Sequence, residues 1–154
     1  MIKNETEYQE MLKRLEQDQT YMREQWQALR DLGLSEGEVD RAMQPTQSFH
    51  AQLREEVEYY ERIKRGEFET LENFFGLGRL LIALRIAKGL TQRQLAERLG
   101  VSESQVSRDE RSEYHGVTVA RATKILQALG VVMTATVSEW HDEMASGSQG
   151  YVMQ

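Results

Sequence analysis

Residues 89–110 read GLTQRQLAERLGVSESQVSRDE, and the order of small, capping and apolar residues there decides the fold. Thr91 with Gln94 three positions later is a capping box, in which a hydroxyl and an amide side chain satisfy each other's backbone N–H groups at a helix start. Leu95, Ala96 and Leu99 follow at helical spacing, and Gly100 supplies the left-handed residue that ends such a helix. Ser102 caps the next helix, again with Gln105 three residues on. The turn between the two helices is therefore about three to four residues, and the small Ala96 permits their close approach, as a helix-turn-helix needs.

Working outward, residues 77–88 place Leu80, Leu81, Leu84 and Ala87 on one helical face, closed by Gly89. Residues 118–129 carry Val119, Ala122, Ile125, Leu126 and Leu129 in the same pattern. Residues 77–130 thus read as four short helices with their own caps and apolar faces, sufficient on these signals to fold without the preceding sequence.

The ordered pattern LTQxxLAxxLGVSxSxVSRxE closely resembles the lambda-repressor-like (Cro and repressor, XRE-type) helix-turn-helix family of regulators, over residues 77–130. The resemblance is looser over an N-terminal helical hairpin. It implies that the helix opened by Ser102 is the recognition helix, with Val101 and Val106 buried and Glu103, Ser104, Ser107 and Arg108 facing the major groove. Arg108 is the best base reader, since its two prongs match guanine O6 and N7. Ser104 and Ser107 donate or accept, and Glu103 suits cytosine N4. Thr91, Gln92 and Arg93 open the preceding helix, where free N–H groups and the positive dipole end meet a phosphate, and Gln92 matches the family's phosphate-contacting glutamine. Arg111 and His115 are further phosphate contacts, with Arg85, Lys88 and Arg121 as additional candidates. Asp109 departs from the family, which carries an apolar residue there. A carboxylate in that place needs a partner or water. Glu110 matches the family and is read as structural.

Charge is distributed to suit this reading. The chain has 154 residues and net charge -6. Residues 1–70 hold 10 Lys/Arg against 16 Asp/Glu, residues 71–138 hold 9 against 6, and residues 139–154 hold none against 3. The acidity belongs to the ends, and the middle is mildly basic, in keeping with a nucleic-acid partner. There is no cysteine, so disulfides and thiolate metal sites are excluded. The opening MIKNETEYQE is too polar for a signal peptide, and no apolar run reaches the ~20 residues that span a bilayer. A soluble cytoplasmic protein with no membrane partner is expected.

The N-terminal region, residues 1–66, reads as a coiled-coil-like helical arm. Tyr8, Leu12, Leu15, Gln19, Met22, Trp26 and Leu29 form a heptad seam with one polar member. Asn4 with Glu7 caps its start, Gly33 stops it, and Ser35 with Glu38 opens a second helix. Pro45 is expected to break or bend that helix, giving a hairpin over about residues 4–32 and 46–65. Its second half repeats the spacing at His50, Leu53, Val57, Tyr60 and Lys64. Residues 67–76 read as a linker whose Phe68, Phe74 and Phe75 tack the arm onto the next unit.

Strand-like composition occurs once, in VVMTATV. Val131, Met133, Ala135 and Val137 alternate with Val132, Thr134 and Thr136. A lone strand over residues 131–138 must find a partner for its backbone, and the same strand of a second subunit is the simplest one. Its position after KILQAL resembles antitoxins of the persistence-kinase type. Residues 139–154 are read as a flexible tail.

The fold class expected is therefore mostly α: an N-terminal hairpin, a lambda-repressor-like four-helix domain and one short C-terminal strand. The function expected is a homodimeric, sequence-specific DNA-binding transcriptional regulator, a repressor on an inverted repeat. The alternative is an antitoxin that binds operator DNA and a toxin protein, and a third reading is an interaction module that no longer reads DNA. No cofactor is expected. His50, His115 and His141 lack ligand spacing for a metal, GLGR lacks the lysine and length of a phosphate loop, and no nucleophile, base and orienter assemble into an enzyme.

Overall fold

In a computed structural model that describes residues 1–137, the chain forms α1 (Glu5–Asp31), α2 (Glu36–Lys64), α3 (Leu77–Ala87), α4 (Gln92–Leu99), α5 (Glu103–Arg111) and α6 (Val119–Leu129). The capping residues set these starts as their chemistry requires. Asn4, Thr91, Ser102 and Thr118 each accept a backbone N–H from the first turn, and reciprocal capping boxes form at Ser35–Glu38 and Thr91–Gln94. Gly100 and Gly130 close α4 and α6 in the left-handed conformation, at φ 67° and 65°.

Pro45 does not break the second helix. It lies exposed inside a continuous α2. A proline in a helix interior costs about 3 kcal/mol, while each apolar side chain fully buried contributes about 1.5–3 kcal/mol. Val39 and Met43 before it, and Leu53, Val57, Tyr60 and Ile63 after it, are all buried. Packing on both sides of the proline outweighs one missing ladder bond.

Helices α1 and α2 form an antiparallel hairpin in which α1 is the outer member, with no fully buried residue. Of its seam, Gln19 is exposed and the apolar positions are half-buried. The rings of Tyr8 and Tyr60 stack at 4.9 Å near the base, the Tyr8 hydroxyl donates to Glu61 at 2.7 Å, and the Tyr60 hydroxyl donates to Glu5 at 3.4 Å. Burial and the Glu5 carboxylate push the Tyr60 hydroxyl up to about 12.

The base of this hairpin shares the core of α3–α6. Ile2, Val57, Tyr60 and Ile63 lie in one apolar cluster with Leu81, Ile82, Leu84, Leu95, Val106, Ile125 and Leu129. Residues 67–76 therefore separate arm and domain along the sequence but not in packing. Phe68, Phe74 and Phe75 do not do the tacking expected of them, for all three are exposed. Ile63, Tyr59, Leu77 and Leu80 fill the junction instead, and Arg79 lies over the Tyr59 ring at 5.2 Å.

After α6, the expected strand is not assigned within the chain: residues 131–137 carry no regular secondary structure. A strand is defined by a ladder, and among the described residues nothing pairs with this segment. Val131 donates its N–H back to Leu126 at 2.9 Å, Val131 and Met133 lean on the core, and Val132 and Val137 are exposed. Ser138, the end of that strand, the tail 139–154 and His141 lie outside the described residues.

Candidate nucleic-acid interface

Helix α5 is amphipathic in a way that sorts its residues. Val106 and Glu110 are fully buried, each 0% exposed. Glu103, Ser104 and Arg108 are exposed, and Ser107 is half-buried beside them. The four side chains assigned to base readout thus occupy the outer half of one short helix. Arg108 lies along it, its Nε donating to the Ser104 carbonyl at 3.4 Å, and the hydroxyls of Ser102 and Ser104 are 3.0 Å apart. Val106 meets Leu95 and Ala96 of α4 within the common core, and Val101 is half-buried in the turn, as the motif requires.

The phosphate-contact candidates lie at the start of α4 and at and beyond the end of α5. Thr91 is exposed, and its hydroxyl and N–H are both engaged with Gln94, at 3.1 and 2.8 Å. Arg93 is exposed and pairs with Glu97 one turn on at 3.1 Å, a surface contact worth little in water. Arg111 and His115 are exposed at the end of α5 and in the segment that follows. Gln92 is half-buried, and its Nε2 donates to Glu110 at 2.8 Å. One amide hydrogen of Gln92 is thereby fixed inward, and the second remains for a partner outside.

Of the arginines named as backbone-contact candidates, Arg85 is committed elsewhere and Arg121 is paired but still partly exposed. Arg85 is 3% exposed and holds Glu110 with both Nε and Nη2, the latter at 2.7 Å. It also donates to the carbonyls of Leu90 and Lys3, at 2.7 and 3.0 Å. A buried guanidinium that has four acceptors cannot reach a phosphate; it neutralises a buried carboxylate. Arg121 of α6 donates to Asp109 at 3.2 Å. This supplies the partner that the carboxylate needs and removes the objection to the packing of α5.

Sequence reading missed Tyr114. Its side chain is 5% exposed, and burial together with Glu110 and Asp109 raises its hydroxyl's pKa. Residues 113 and 114 are both left-handed, at φ 50° and 54°, and this loop passes so close to α3 that a Cβ on Gly78 would stand 1.8 Å from the Glu113 carbonyl oxygen. The glycine in GLGR is thus a packing glycine. Among the described residues no group of His, Asp and Glu could hold a metal ion, and no helix is long and apolar enough to cross a membrane.

Residues 76–140 match the family model of a helix-turn-helix domain. The match spans α3–α6 and leaves the arm outside. No curated protein and no solved structure matches the chain. The helix-turn-helix match supports a DNA-binding regulator.

Proposed function

We propose that the chain is a homodimeric, sequence-specific transcriptional regulator of the lambda-repressor-like type that represses by occupying an inverted-repeat operator. The carrying observation is the division of α5 between a core half, Val106 and Glu110, and an outer half, Glu103, Ser104, Ser107 and Arg108. In this reading α5 enters the major groove and Arg108 grips a guanine edge with both prongs. Thr91, Gln92 and Arg93 at the start of α4, with Arg111 and His115, fix the register on phosphates. A mildly basic domain making few phosphate contacts binds weakly alone, and two linked copies bind far better. Pairing through residues 131–137, with Val131, Met133, Ala135 and Val137 on one edge, would give that segment's backbone its ladder.

The test is selection of DNA fragments from a random pool by the purified protein. An enriched inverted repeat, with half-sites about one helical turn or about 34 Å apart, is the expected result. Enrichment of nothing beyond the starting pool overturns the reading.

One observation favours a protein partner as well. Helix α1 buries none of its 27 residues fully and leaves Tyr21 53% exposed, and Leu32 just beyond it is 76% exposed. This supports the antitoxin alternative, in which a toxin docks on the arm. Co-expression with the product of an adjacent reading frame, followed by a growth assay, decides between the two.

A further inference from the structure

We propose that the arm sets the grip of the helix-turn-helix domain on DNA through Arg85, which relays the seat of residues 1–3 to the Gln92 side chain. The inference rests on the reading of Gln92 as a phosphate contact.

Arg85 is the point where four separate segments meet. Its Nη2 donates to the Lys3 carbonyl at the start of the arm, and its Nη1 to the Leu90 carbonyl just before the α4 cap. Its Nε and Nη2 donate to Glu110 on α5. The same Glu110 oxygen that receives Nη2, Oε2, also receives Gln92 Nε2 at 2.8 Å. An unbroken path of hydrogen bonds therefore runs from the Lys3 carbonyl through Arg85 and Glu110 to Gln92.

Three features make this path a lever rather than a coincidence of contacts. The guanidinium is planar, so its tilt is set jointly by all its acceptors, and moving one shifts the fork presented to the others. Both charged members are shut away from water, Arg85 at 3% and Glu110 at 0% exposure, so solvent cannot readily replace a lost acceptor. Lys3 is itself held firmly: Ile2 beside it is 2% exposed, and the Lys3 N–H donates to Glu7 at 2.9 Å on the first turn of α1. A rotation of the arm base therefore moves the carbonyl that Arg85 needs. If the Lys3 carbonyl withdraws, the fork turns, Glu110 loosens, and Gln92 loses the bond that aims its second amide hydrogen outward. The arm, which carries the N-terminal acidity, thereby becomes an input: a protein docked on α1 that shifts its base weakens DNA binding without touching DNA. Arg85 is a positioning residue in this scheme.

The test uses the full chain and two readouts. The first needs no DNA: the side-chain amide resonances of Gln92, observed by NMR in the wild type and in Ile2→Ala. The relay predicts that they shift in Ile2→Ala and stay in place in Leu29→Ala, a variant at the far end of the arm. The second is a double-mutant cycle on the selected operator. Gln92→Ala alone should weaken binding about tenfold, Ile2→Ala alone several-fold, and the double variant little more than Gln92→Ala, because the unseated arm acts through Gln92. Thermal unfolding confirms that each variant is folded at the assay temperature, and Ile2→Val takes the place of Ile2→Ala if it is not. Unshifted Gln92 resonances overturn the relay whatever the DNA result. Losses that multiply in the cycle also overturn it, since the arm would then act elsewhere. Shifted resonances in a protein that selects no DNA would uphold the relay and overturn the DNA-binding reading instead.

Discussion

At the scale of single residues, the outer half of α5 differs from its rim in what each side chain can discriminate. Arg108→Ala should cost about 1–3 kcal/mol at one base pair per half-site and relax preference there, while Gln92→Ala should weaken all sequences evenly. Competition binding against operators varied one base pair at a time checks both, and undiminished preference in Arg108→Ala would show that another residue reads the groove. Gly78 carries a different kind of constraint. A methyl there meets backbone, the Glu113 carbonyl oxygen at 1.8 Å and its carbon at 2.8 Å, so no side chain can move aside to accommodate it. Gly78→Ala should destabilise the protein by about 1–3 kcal/mol or more in denaturant unfolding. It should also displace the loop that carries His115. These two predictions differ in how far sequence alone supports them. Arg108 belongs to a recognisable pattern, whereas the demand on Gly78 arises from a loop 35 positions away that no local signal announces.

At the scale of elements, local chemistry was a good guide to starts and stops and a poor one to continuity. The caps at Asn4, Ser35, Thr91, Ser102 and Thr118 act within one turn of their own helices, so a sequence read a few residues at a time contains them. Whether a helix survives a proline depends on what lies against it, which the local window does not include. Since α2 runs through Pro45 at the expense of one backbone bond, Pro45→Ala should restore the N–H to the ladder and stabilise the arm by up to about 3 kcal/mol. A rise in the denaturant midpoint checks this; a fall would mean that the proline's ring is itself a packing contact. The segment 131–137 poses the converse problem. Its alternation suits a strand, but a ladder needs a second strand, and within the described chain there is none. Thr134→Pro, which removes a donor near the middle of the proposed intersubunit ribbon, should turn the dimer into a monomer by light scattering and abolish most operator affinity at moderate salt. A Thr134→Pro protein that remains dimeric would point to the arm as the pairing element.

At the scale of the whole molecule, arm and domain behave as one core with two surfaces. Caps and apolar faces within residues 77–130 argue for a domain that folds alone, but Ile2, Val57, Tyr60 and Ile63 are buried against its first helix. A fragment beginning at Thr70 exposes that face and leaves Arg85 without the Lys3 carbonyl. Each of those four side chains contributes about 1.5–3 kcal/mol by its burial, and the total rivals the 5–15 kcal/mol stability of a typical domain. The fragment should therefore unfold at much lower temperature than the full chain, or without a cooperative transition, by calorimetry. A fragment with an undiminished midpoint would show that the arm only rests on the domain.

The helix-turn-helix is legible in the sequence because everything that defines it is local: two caps, a glycine stop, a small residue at the crossing and apolar positions a turn apart. The helical seam of the arm was legible for the same reason. Tertiary structure decided which arginines are left available to a partner. Arg85 lies in the apolar run LLIALRIA of α3 and Arg108 in the polar run SQVSRDE of α5, a local hint that the first is buried, but neither run names the distant group that would hold its guanidinium. Arg85 is withdrawn from solvent by a carboxylate 25 positions away and a carbonyl 82 positions away, whereas Arg121, still 27% exposed, pairs with a carboxylate 12 positions away. Ion pairing between distant segments depends on the through-space meeting of helices, and a side chain's availability to a partner is what remains after those meetings are made.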